Sequence, residues 1–214
     1  MRRIAIVALV TLFLGACSSA YYGALESVGV HKREILVDRI GEAQESQEEA
    51  AEQFQTALEQ FQSVVSFDGG DLEDLYEDLA DEFESSESGA EEVRDRIEAV
   101  RDVADALFDE WTDELEQYSD ARLRSRSEAS LRETRTRYNQ LMRAMERAES
   151  RLDPVLDAFR DQVLYLKHNL NARAIAALKD EVSSIEGNVG RLIKDMNSAI
   201  AEAQDFIAEF ESAG

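Results

Sequence analysis

Apolar side chains recur in alternating steps of four and three residues along most of this sequence. A 3.5-residue period of that kind is satisfied by helices that lie lengthwise against other helices. The first seam is Leu36, Ile40, Ala43, Gln47, Ala50, Phe54, Ala57, Phe61 and Val64. A second runs from Leu72 through Tyr76, Leu79, Phe83, Ser86 and Ala90 to Trp111, a third from Leu131 to Leu166, and a fourth from Leu178 to Phe210. One proline and ten glycines in 214 residues leave little to interrupt them. The spacing predicts an all-α chain over residues 31–214: an elongated antiparallel four-helix bundle with coiled-coil packing, up-down-up-down.

The connections are legible where the period fails. Phe67-Asp68-Gly69-Gly70-Asp71 is the strongest turn signal, and Asp71 and Asp74 suit the start of the next helix. The period lapses again near Tyr118-Ser119-Asp120-Ala121, and Lys167-His168-Asn169-Leu170-Asn171 reads as a second hairpin connection. Ser85 to Gly89 keeps the heptad phase, so it is expected to be a weak point rather than a reversal. Asp153-Pro154 predicts a kink in the third rod, with Asp153 as a cap. The polar seam positions Gln47, Ser86, Thr134 and Gln162 are expected to cost stability and to fix register. Segments of roughly 35 to 48 residues would measure about 50 to 70 Å. Their order gathers the start of the bundle, the 119–123 connection and the C-terminus at one pole, with Phe67–Asp71 and Lys167–Asn171 at the other. Two separate antiparallel coiled coils, or one helix running on through Asn171, are the competing arrangements.

The beginning of the chain has a different character. Arg2 and Arg3 precede an apolar run from Ile4 to Leu14, which has the length of an export signal and is too short to span a bilayer permanently. Leu14-Gly15-Ala16-Cys17 follows and looks like a bacterial lipobox; Cys17 is the single cysteine. The expected organisation is a lipoprotein signal peptide over 1–16, then a lipidated N-terminus and tether over 17–30, with Cys17 carrying the lipid. Ser18, in place of an aspartate, points by the lipoprotein sorting rule to the periplasmic face of an outer membrane. Two or more acyl chains at Cys17, palmitate among them, would hold stably, since each buried methylene adds about 0.8 kcal/mol. Tyr21 and Tyr22 suit the headgroup level, or packing against the first helix.

Charge is distributed unevenly. The chain holds 46 acidic and 23 basic side chains; residues 18–120 carry 31 acids and 6 bases, whereas 121–214 carry 15 of each. Nucleic acid is excluded as a ligand, because its phosphates would be repelled. Arg122, Arg124 and Arg126 open a basic segment and are candidates for membrane-proximal contact with anionic headgroups, the bland reading being that this segment neutralises the first two helices. Lys167, His168, Asn169 and Asn171 gather donors at the opposite pole, where a periplasmic protein or peptidoglycan is the candidate partner; dipole compensation is the alternative.

Several stretches resemble an uncharacterised family of proteobacterial lipoproteins. They are Tyr21-Tyr22, Val30 to Arg39, Phe67 to Leu72 and Tyr165 to Ala172. The resemblance covers essentially the whole mature chain and implies a helical lipoprotein domain of unknown function, with no catalytic residues to carry over. Its members sometimes bear a label borrowed from DNA-repair ATPases, but no GxxxxGK[ST] phosphate loop is present here.

Chemistry finds little purchase. His31 and His168 are far apart and belong to no HExxH pair, and Asp68, Asp71, Glu73 and Asp74 lack the spacing of a calcium loop. No metal, no cofactor and no catalytic residue is expected. The expectation is a noncatalytic outer-membrane lipoprotein acting as a periplasmic helical spacer or interaction scaffold. The alternatives are an accessory subunit of an envelope transport or assembly machine and, less favoured, a hydrolase using carboxylates.

Overall fold

The computed structural model describes residues 31–67, 69 and 71–212. The expectations for Cys17, Tyr21, Tyr22 and the signal and tether segments fall outside the described residues, as do Asp68 and Gly70. Six helices occur among the described residues: α1 (Lys32–Val65), α2 (Leu72–Leu115), α3 (Ala121–Glu149), α4 (Leu152–Lys167), α5 (Ala172–Leu178) and α6 (Val182–Ser212). All nine positions of the first seam are buried, and so are Leu79 through Leu107 of the second. The described residues are all-α because their apolar surfaces are helical stripes, and each stripe must find another to leave water.

Each rod has two principal neighbours. α1 lies along α2 and α6, α3 lies along α6 and α2, α4 packs on α2 and α6, and the short α5 touches α1 and α4. Four rods result, because α3 and α4 form one interrupted rod and α5 and α6 another. The α1–α6 and α3–α6 contacts exclude two separate coiled coils. The non-helical stretch after Lys167 and the packing of α4 on α6 exclude one continuous helix through Asn171. Cross-rod bonds fix the antiparallel register: Lys32 to Glu110 and Glu42 to Arg96 between α1 and α2, Glu87 to Arg160 and Arg94 to Asp153 between α2 and α4.

Helix boundaries follow local chemistry, with four corrections to the expected ones. α2 begins where the Asp71 carboxylate accepts from the Glu73 amide at 2.9 Å, after Gly69 takes a φ of 148° that other residues avoid. The second connection is 116–120, not 119–123: Asp120 accepts from the amides of Arg122 and Leu123, so the helix is under way by Ala121. The third rod breaks at Ser150 and Arg151, as Pro154 demands, since its ring would strike the Ser150 carbonyl and it has no amide to bond there. Asp153 is not the cap; Arg151 occupies that place, and Asp153 sits in the first turn of α4, bonded to Arg94 at 2.6 Å. Ser85 to Gly89 is uninterrupted helix, the Ser86 hydroxyl donating to the Glu82 carbonyl at 2.8 Å. The fourth rod, expected to be continuous from Leu178, is broken at residues 179–181, yet Leu178 and Ile185 stay buried in phase.

Candidate contact sites at the two poles

The first pole is built by the start of α1, the end of α2, the start of α3 and the end of α6. We call it the entry pole, since the described chain enters there. Its helix ends carry charges opposed to their own dipoles. α1 starts with Lys32 and Arg33 and α3 starts with Arg122, Arg124 and Arg126, whereas α2 and α6 end in acids with no base in the last turn. Each misplaced charge costs an exposed helix about 0.3–1 kcal/mol. Neighbouring rods supply the compensation. Lys32 is almost wholly enclosed and pairs with Glu110 of α2 at 3.1 Å. The Arg33 guanidinium lies 4.3 Å over the Phe210 ring and donates to the Phe210 carbonyl, closing an unpaired acceptor at the end of α6. Arg137 pairs with Glu209, also on α6.

An aromatic floor lies beneath these charges. Phe206 and Phe210 stack at 5.2 Å, Phe108 and Tyr138 meet edge to face at 5.3 Å, and Arg135 lies 5.2 Å over Phe108. The Trp111 indole donates to Ser127 at 2.8 Å and ties the end of α2 to α3. Two shallow cavities flank Phe210: one of about 170 Å³ against Arg33, Leu107 and Trp111, and one of about 260 Å³ against Thr134, Arg137 and Phe206. Both are open clefts between helix ends, with charged rims.

Beyond Leu131, the first buried residue of α3, the hairpin between α2 and α3 runs past the other rods. Residues 121–130 are exposed apart from the half-buried Ser127. Arg122, Arg124 and Arg126 lie on this overhang. Arg122 stands 3.9 Å from Asp120 and its side chain is 90% exposed, while Arg124 and Arg126 have no ion pair among the described residues. Tyr118 and Leu123 are 41% and 51% exposed at the same tip. Further along α3 the basic side chains reach both neighbours: Arg137 pairs with Glu209 of α6, Arg151 after the helix pairs with Asp195 of α6, and Arg135 donates to the Phe108 carbonyl and the Thr112 hydroxyl of α2.

The far pole joins the α1–α2 turn to the α4–α5 connection. Of the four candidates there, two are occupied with the fold. The Asn171 side chain caps α5, accepting from the amides of Arg173 and Ala174, and the Asn169 amide donates to the Tyr165 carbonyl at 2.8 Å. Lys167 and His168 end α4 with exposed side chains. Residue-by-residue reading missed their neighbours Leu164, Tyr165 and Leu170, which are exposed large hydrophobics. The signal was available: Leu164 and Tyr165 are apolar residues out of phase with the Phe159, Gln162, Leu166 seam. Among the described residues this surface also holds the longest stretch without an acid, with no carboxylate between Asp161 and Asp180.

Between the poles an open groove of about 670 Å³ runs between α1 and α6, against Ala51, Gln55, Ile193 and Ile200. Among the described residues the exposed large hydrophobics, Tyr118, Leu123, Leu164, Tyr165 and Leu170, all sit at one end or the other. No cluster of three metal-ligating side chains occurs among the described residues, and His31 and His168 lie at opposite poles, at the start of α1 and the end of α4. No helix among the described residues is long and apolar enough to cross a membrane. Among curated proteins and solved structures nothing matches the chain. Residues 21–210 match the family described as Protein of unknown function (DUF2959), and the chain belongs to that family.

Proposed function

We propose that the protein is a noncatalytic envelope lipoprotein: a rod tethered through acylated Cys17 to the periplasmic face of an outer membrane, holding a contact surface about 50 Å from the bilayer, the length of its 34-residue first helix at 1.5 Å per residue. One observation carries this reading: among the described residues, the exposed large hydrophobic side chains sit at the two ends. A body that binds along its length would leave an apolar strip on its side. A strut leaves its ends sticky and its shaft inert. The excess of acid over base, -23 overall, keeps the shaft from collapsing onto anionic phospholipid or onto other copies.

The far-pole trio of Leu164, Tyr165 and Leu170 favours a second reading, an accessory subunit whose distal end docks on a larger envelope machine. One experiment tests both. A photo-crosslinking amino acid is placed at Tyr165 and, separately, at the exposed flank residue Glu84 in living cells. Adducts from position 165 and none from position 84 support the strut; a single reproducible protein adduct supports the accessory subunit, and peptidoglycan adducts support the spacer. Equal labelling from both positions overturns the reading. Cys17→Ala is expected to move the protein out of the membrane fraction or leave its precursor unprocessed, and unchanged fractionation and mass would remove the anchor.

A further inference from the structure

We propose that the overhanging tip of the α2–α3 hairpin is a membrane foot, which rests on a zwitterionic phospholipid headgroup layer and sets the angle at which the rod leaves the bilayer. This rests on the tethered reading above. A single lipid anchor fixes position and leaves direction free; a second point of contact is what would hold the rod upright.

The tip stands at the pole where the described chain begins. The proposed lipid at Cys17 is joined to that pole by the fourteen residues 17–30. α1 begins there at Lys32, beside Glu110 and Phe210, at the pole from which the hairpin projects. The ten residues of α3 before Leu131 add about 15 Å of rod in that direction. A bilayer within reach of the tether is therefore within reach of Tyr118 and Leu123.

The chemistry of the tip selects the surface. Arg122, Arg124 and Arg126 offer donors to phosphate, and Arg124 and Arg126 have no ion pair among the described residues. Asp113, Glu114 and Glu116 stand on the facing end of α2, and Asp120 caps α3. With Glu128 of the overhang, which pairs with Arg132, five acids and three bases make a mixed tip, which matches a headgroup carrying both a phosphate and an ammonium. A purely anionic surface would meet those acids and the strongly negative body behind them. Tyr118 and Leu123 bring apolar surface with a polar or charged neighbour, the combination that settles at the boundary of headgroup and acyl chain. The arginines also run against the α3 dipole, so the isolated helix gains nothing from them. Replacing them with glutamate suits the dipole, which keeps such a variant folded.

The test uses the acylated full-length protein in phosphatidylethanolamine-rich vesicles. A polarity-sensitive fluorophore is attached to a new thiol in Leu123→Cys or, separately, Leu170→Cys, the Cys17 thiol being blocked by its lipid. The expected result is blue-shifted emission at position 123 and quenching by a bilayer-borne quencher several-fold stronger than at position 170. Combining R122E, R124E and R126E with L123C should cut that quenching at least twofold while flotation with vesicles is unchanged. Flotation with position 123 quenched no more than position 170 overturns the foot and leaves the tether standing. Failure to float overturns the tether and the foot together. Stronger quenching at 123 in purely anionic vesicles overturns the assigned headgroup class.

Discussion

Gln47 occupies a seam position of α1, fully enclosed, and neither atom of its amide has a hydrogen-bond partner. Ser86, the other enclosed polar seam residue, answers its own need by donating to the Glu82 carbonyl. A buried amide left unpaired costs about 1–3 kcal/mol, and replacing it with an apolar side chain of similar size removes that penalty. Gln47→Leu is therefore expected to stabilise the protein by about 1–2 kcal/mol, raising the melting temperature by a few degrees in a chain of this size. A fall in melting temperature would show that an enclosed water satisfies the amide. Tyr138 gives the residue scale a pH dependence. Burial first, then the nearby Asp105, pushes its phenol up from 10.0 to about 12, because the phenolate would be desolvated against a carboxylate. Between those values the unfolded chain has lost the proton and the folded chain retains it, so stability must fall as pH rises through that window. Thermal melts from pH 9 to 11.5 should show a loss in the native protein that exceeds the loss in Tyr138→Phe; parallel curves would mean that the phenol ionises freely when folded.

At the scale of elements, α1 and α2 meet through small residues at Ala50 and Gly89. A Cβ built on Gly89 would lie 3.9 Å from the Ala50 Cβ, which is ordinary contact rather than a clash. Gly89→Ala should therefore gain the helix propensity that glycine forfeits, about 0.5–1 kcal/mol in denaturant titration, while Gly89→Leu should lose stability by prising the two rods apart. A destabilised Gly89→Ala would mean that the rods pack closer than the Ala50 distance allows. The heptad phase made the rods themselves readable, because a buried stripe leaves a mark at every turn: Leu36 through Val64 needed no more than their spacing. Pro154 was readable for the same kind of reason, a covalent ring with one fixed consequence. The break at 179–181 was not, since Lys179, Asp180 and Glu181 carry no breaker and the phase from Leu178 to Ile185 passes across it undisturbed. Helix-end electrostatics is legible in the sequence only where one helix suffices. Lys167 beside the end of α4 fits the usual dipole rule, whereas Lys32 and Arg33 fit only when α2 and α6 are placed beside them. The candidate contact residues split along that line: Arg122, Arg124, Arg126, Lys167 and His168 are exposed as their position implied, while Asn169 and Asn171 serve the turn.

Across the whole molecule, attraction and repulsion act over different distances, and ionic strength separates them. Eighteen acids and no base lie between Arg39 and Arg94, sixteen of those acids on α1 and α2, which pack side by side, so the two rods repel each other along their exposed faces while their seams hold them together. The ion pairs between α1 and α2 are Arg96 with Glu42 at 3.0 Å, which is partly exposed, and Lys32 with Glu110 at 3.1 Å, and an exposed pair contributes about 0–1 kcal/mol. Salt shortens the Debye length from about 30 Å at 0.01 M to about 10 Å at 0.1 M. Over that range it removes the long-range repulsion of the net charge before it weakens contacts of a few ångströms. The melting temperature is therefore expected to rise by several degrees as potassium chloride goes from 0.01 to 0.1 M, and then to level off. Chloride is the suitable anion, because sulfate would add its own strengthening of apolar burial. A melting temperature that falls with salt would mean that cross-rod pairs such as Lys32 with Glu110 outweigh the repulsion. The shaft would then be held by its charges rather than in spite of them, and its acidity would need a structural explanation in place of the inert-flank one.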